Sequence, residues 1–167
     1  MSLLSSSRDA SSKDVSSAIA YESEAFEQAV DGIDEAIRSG EGAAFFFVGA
    51  SQEEKQEGLT RLSTPQELNL HRFRVPNLLG ERLVETQGHL REAFDHADEG
   101  AAVLFFDEAD VLFDPSYAEK AGEEDAALSD YFFDRVEAYP GVAIVCFSSQ
   151  EYVDRLEGHS ADVAVEF

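Results

Sequence analysis

Lysine is nearly absent: Lys13, Lys55 and Lys120 are the only three in 167 residues. With arginine they make 12 cations against 35 Asp and Glu, a formal net charge of −23. Such a surface repels phosphate backbones and offers no basic stripe, which excludes nucleic acid and anionic membranes as partners. Cys146 is the single cysteine, so no intrachain disulfide exists; it lies in the apolar run VAIVCF, where a packed thiol is expected rather than a nucleophile. No stretch approaches 18 apolar residues, and the opening MSLLSSSRDASSKDVSS has no apolar segment long enough for a secretion signal. The expectation is a cytoplasmic protein.

What is plentiful is acid, dispersed along the chain rather than gathered in a tail. A densely acidic surface stays solvated at high salt, where its self-repulsion is screened, so the composition predicts a halophilic protein. Hydrophobic residues make up 44% of the chain, enough for one core and too short a chain for two. Residues 1–18 are Ser-rich and read as a disordered arm, leaving 19–167 as the folded domain.

Phe26, Val30, Ile33 and Ile37 recur at helical spacing, predicting one helix that Gly40 stops. The runs AAFFFVG, LHRFRV, AAVLFFDE, VAIVCFSS and VAVEF read as strands, and most are apolar throughout, as strands covered on both faces are. Helical stretches near 53–62, 85–97, 123–138 and 150–157 separate them. Alternating strands and helices predict an α/β fold, a three-layer, doubly wound parallel sheet of about five strands.

In AAVLFFDEADVLF the apolar run ends in Asp107 and Glu108, with Asp110 following. Open parallel sheets place sites at the carboxyl ends of their strands. In a nucleotide hydrolase the first carboxylate holds Mg²⁺ through water and the second orients the attacking water. The competing reading is a helix cap with solvated acids. A helicase reading of DEAD fails on length, on charge and on the missing glycine-rich loop.

With AVLFFDEAD, the preceding ETQGHLREAFDHADEG, the later SDYFFDRVEAYPGVAIV and the closing DVAVEF, the chain resembles the large subdomain of an AAA-family ATPase over roughly residues 24–167. The resemblance implies a P-loop NTPase-like parallel sheet, ATP and Mg²⁺ at the strand tips, hexameric rings and force applied to protein substrates. It also supplies a register. A phosphate loop GxxxxGK[ST] begins at Gly49 and places its lysine at Lys55. Yet the second glycine position holds Glu54, another usual glycine position holds Gln52, and the Mg²⁺-binding hydroxyl position holds Gln56. A side chain forced into such loop geometry costs about 1–2 kcal/mol. A glutamate roughly 6 Å from a phosphate charge adds about 3 kcal/mol of repulsion at an effective dielectric of 20.

Other positions depart in the same direction. Ser148 stands at the sensor position that normally carries asparagine or threonine, and His159 and Ser160 stand where the family's paired arginines reach the neighbouring subunit. The substrate-gripping loop reads Arg82, Leu83 and Val84, with no aromatic. The chain reaches Phe167 with no C-terminal helical lid in view.

The remaining polar candidates are weak. His71, His89, His96 and His159 show no ligand spacing, so no zinc site is expected. The run EKAGEEDAALSD lacks the offsets of a calcium loop. The leading expectation is a degenerate AAA-like domain without efficient ATP hydrolysis, acting as scaffold or regulatory partner of a protein assembly or a competent AAA paralogue. Lys55 then pairs with Asp107 and Glu108 structurally and no cofactor is needed. Two alternatives stay open: an active or weakly active Mg²⁺-dependent ATPase using Gly49, Lys55, Asp107 and Glu108, and a structural ATP- or ADP-binding module without turnover.

Overall fold

The computed structural model describes residues 19–21, 23–63, 69–96, 102–113, 125–154, 156 and 161–167. The Ser-rich arm, His159, Ser160 and the first half of the EKAGEEDAALSD run lie outside the described residues. Six parallel strands form one sheet: β1 (Ile19–Ala20), β2 (Ala43–Val48), β3 (Asn69–Arg74), β4 (Ala102–Asp107), β5 (Val142–Phe147) and β6 (Val163–Glu166), in the order β1-β6-β2-β5-β4-β3. All five expected strands are present. The sixth is the two-residue β1, too short to carry any sequence periodicity, which pairs Ile19 with Val165.

The helices are α1 (Glu24–Asp31), α2 (Ile33–Arg38), α3 (Gln52–Ser63), α4 (Val75–Leu78), α5 (Leu83–His96), α6 (Asp125–Ala138) and α7 (Gln150–Asp154), with a 3₁₀ turn at Ala109–Phe113. The single helix expected over 26–37 is two. Gly32 ends α1, its N–H donating to the carbonyls of Gln28 and Ala29, and α2 restarts at Ile33. The apolar spacing survives the break, because Phe26, Val30 and Ile33 are all buried.

Alternation along the strands builds the three layers. Phe45, Phe47, Val103, Phe105, Ile144 and Cys146 face α1, α2 and α3, meeting Phe26, Ile33, Leu59 and Leu62. Phe46, Val48, Leu104, Phe106, Val145 and Phe147 face α5 and α6, meeting Leu90, Phe94, Phe132 and Val136. Strands β2, β4 and β5 are covered on both sides and carry almost no polar side chain, whereas β3, at the edge, alternates exposed and half-buried residues. Each fully buried phenylalanine contributes roughly 1.5–3 kcal/mol. Eight phenylalanines are among the fully buried side chains, five on β2 and β4 and three on the helices that cover them.

Gly42 fixes the entry to β2. Its φ is +69°, and a Cβ there would sit 2.2 Å from the Tyr139 carbonyl oxygen, so no other residue fits beside the loop after α6. Among the described residues no helix is long and apolar enough to cross a membrane.

Candidate functional site

The carboxyl ends of β2, β4 and β5 lie side by side, and the candidate residues project from them. After β2, Gly49 adopts φ +76° and donates its N–H to the Phe147 carbonyl of β5 at 3.0 Å. The chain then turns at once into α3, at Gln52. A loop that cradles phosphate keeps its amides converging on the ligand; here those of Ser51, Glu54 and Lys55 are bonded within the turn. Ser51 N–H donates to Glu54 Oε1 at 2.9 Å, Glu54 N–H donates to Ser51 Oγ at 3.2 Å, and Lys55 N–H donates to the Ser51 carbonyl at 2.9 Å. The first two bonds form a capping box, with Ser51 as N-cap and Glu54 at the third helical position.

Glu54 therefore does more than obstruct. Its carboxylate sits at the N-terminus of α3, the place where unpaired amides and the helix dipole favour an anion. Glu53 adds a second acid in the same turn.

Lys55 crosses to β4, where its Nζ lies 2.8 Å from Asp107 Oδ1. Both side chains are nearly covered, 13% and 12% exposed, so this is a partly desolvated pair and not a surface contact. The same Asp107 oxygen accepts the Glu108 N–H at 2.8 Å. Glu108 itself is exposed and has φ +58°, the only non-glycine in the left-handed region among the described residues. Its carboxylate is forked by Arg74 from the end of β3, with Nε on one oxygen and Nη2 on the other at 3.1 Å. The parallel register explains the meeting, since Arg74 stands opposite Asp107. The hydrogen bond and charge of Arg74 hold the Glu108 carboxyl below the ordinary glutamate value. A carboxylate so stabilised is a poor proton acceptor for a water.

Ser148 follows β5 and is exposed; its N–H donates to Asp110 Oδ1 at 3.0 Å, tying the tips of β4 and β5 together. Gln56, at the hydroxyl position, turns toward β3 and accepts from Arg72 Nη1 at 2.9 Å. Arg82 and Val84 are exposed where α5 begins. Burial pushes the Cys146 thiol far up, as expected for a core residue. Among the described residues no three His, Cys, Asp or Glu stand together as a metal site.

The structure thus brings Gly49, Lys55, Asp107, Glu108 and Ser148 to one sheet edge. It adds two residues that the sequence reading passed over, Ser51 and Arg74, and gives Asp110, named there without a role, a partner in the Ser148 N–H. Ser51 was legible, because S-x-x-E before an apolar turn is a capping signature. Arg74 and Asp110 act across strands and carry no local pattern.

An Mg²⁺-nucleotide fits these residues poorly. Lys55 is committed to Asp107, a glutamate holds the phosphate end of α3, and Gln56 offers no hydroxyl and is turned away. The model of the ATPase family associated with various cellular activities (AAA) matches residues 55–158. The match begins at Lys55, beyond the loop of residues 49–54. No curated protein matches the chain in sequence.

Proposed function

The chain belongs to the AAA family of ATPases, and from that premise we propose that it is a degenerate member, without efficient ATP hydrolysis, serving as scaffold or regulatory partner in a protein assembly. The observation that carries the reading is the capping box, because it places a carboxylate and two satisfied amides where a phosphate would need free N–H groups. The forked Arg74 on Glu108 supports it, since the residue that would orient water is already engaged. The Lys55–Asp107 pair then serves the fold: two charges left at the sheet edge neutralise each other.

On this reading the partner is a protein, either a competent AAA paralogue in a mixed ring or a larger assembly. The net charge of −23 favours a salt-rich cytoplasm as its setting. A second reading, a weakly active Mg²⁺-ATPase, draws support from the gathering of Lys55, at the head of α3, with Asp107 and Glu108 at the tip of β4.

Phosphate release from millimolar ATP with Mg²⁺ separates the two. The degenerate reading expects no release above the buffer rate in wild type and no difference in Glu108→Gln. Turnover that disappears in Glu108→Gln hands the site to the second reading.

A further inference from the structure

Strand β3 is the outer edge of the sheet and pairs, among the described residues, only with β4. An edge strand leaves part of its backbone N–H and C=O groups facing outward, and proteins usually blunt such edges with proline, a bulge or charges set along the edge. Here the ladder with β4 runs unbroken over six residues, Asn69 to Arg74, with no proline among them. The arginines stay on one face of the sheet and leave the backbone edge uncovered: the exposed Arg72 has its guanidinium 5.3 Å over the Phe105 ring while donating to Gln56, and Arg74 forks onto Glu108. Asn69 and Leu70 are exposed, and Leu70 is one of two large apolar side chains that are, among the described residues.

Charge distinguishes this margin from the rest of the molecule. From Asn69 to Gly80 there is no Asp or Glu, in a chain that has 35. Among the described residues β3 is the only strand with cationic side chains, and Arg72 has a neutral hydrogen-bond partner in Gln56, which leaves its charge uncompensated by that contact.

We propose that β3 receives an extended acidic segment of a partner protein as a seventh strand, the backbone ladder supplying affinity and Arg72 selecting acidic side chains. This deepens the scaffold reading and rests on it for its biological meaning. A second copy of the chain is the wrong occupant. Pairing β3 with itself brings two copies of Arg72 onto one short ladder, and like charges across a ladder are destabilising.

The test uses a fluorescent hexapeptide of alternating glutamate and valine, its lysine–valine counterpart, and the acidic peptide N-methylated at alternate amides. Each is titrated into the full chain by anisotropy, at the lowest KCl that keeps the chain folded. The acidic peptide should bind, with the lysine and N-methylated peptides weaker by about tenfold or more, and Arg72→Glu should weaken it by a similar factor. Amide shifts should map to residues 69–74. Arg72→Gln supplies the same comparison if the glutamate variant loses its thermal transition. Absence of binding at millimolar acidic peptide, equal binding of the lysine peptide, shifts away from β3, or a concentration-dependent dimer through β3 each overturns the proposal. Phosphate release measured on the same preparation reports separately on the scaffold reading: turnover together with peptide binding removes that reading and leaves the edge site standing.

Discussion

Ser51 and Glu54 cap each other at the head of α3, each backbone N–H donating to the other's side chain, at 2.9 and 3.2 Å. A position that the family register reserves for glycine is thereby a structural residue of the helix. Ser51→Ala and Glu54→Ala should each destabilise the domain by about 1 kcal/mol, lowering the midpoint by roughly 2–4 °C. The double variant should cost clearly less than the sum, because either change removes the box. Thermal unfolding checks this, and strictly additive losses would contradict a reciprocal cap.

Lys55 and Asp107 form the nearly covered pair of the site. Lys55→Met should destabilise by about 3–5 kcal/mol, because it leaves the Asp107 charge without its cation, while Lys55→Met with Asp107→Leu should recover much of the loss. Denaturant midpoints of the three proteins measure it. A Lys55→Met cost below about 1 kcal/mol would place the pair with ordinary surface contacts.

Glu108 titrates below its ordinary value through the hydrogen bond and charge of Arg74. A depressed carboxyl favours folding above the unfolded pKa of about 4.3 and loses that contribution as the pH falls through the folded value. Because the pair is exposed, its weight in overall stability is small, and the direct readout is the Glu108 carboxyl resonance. Arg74→Gln should move that titration upward toward the ordinary value. An unmoved titration removes Arg74 as the cause.

The net charge of −23 should make stability depend on salt. Self-repulsion is largely screened once the Debye length falls to about 3 Å at 1 M. Raising KCl from 0.1 to 2 M should stabilise the domain by about 2 kcal/mol or more, a rise of roughly 4–8 °C. Chloride matters as the choice of salt, because sulfate strengthens apolar burial in any protein. A midpoint flat across that range would set aside the halophilic reading.

Much of the fold was legible because β2, β4 and β5 are apolar but for the closing Asp107 of β4, short and separated by helical stretches, as strands covered on both faces are. The two-residue β1 and the break at Gly32 were not legible, since neither changes the spacing of Phe26, Val30 and Ile33. At the site, Lys55, Asp107 and Glu108 followed from strand ends and loop register. The difference lies in their partners. The sequence suggested that Lys55 answers both carboxylates, but Asp107 takes the lysine and Glu108 takes Arg74, a residue 34 positions away brought close by the parallel register. Glu54 looked like a penalty against phosphate; its second role, as an internal anion for the helix, stands in the S-x-x-E spacing from Ser51, a signal the phosphate-loop register drew attention away from.

The most direct measurement is calorimetric titration of ATP with Mg²⁺ into wild type, Lys55→Ala and the triple variant Gln52→Gly, Glu54→Gly, Gln56→Thr, at low and at molar KCl. The account predicts no heat in wild type at millimolar nucleotide in either salt, and binding at least about tenfold tighter in the triple variant, where the carboxylate is gone and the hydroxyl restored. Micromolar binding by wild type that is lost in Lys55→Ala would contradict it, because GASQEEKQ would then cradle phosphate with its capping box in place.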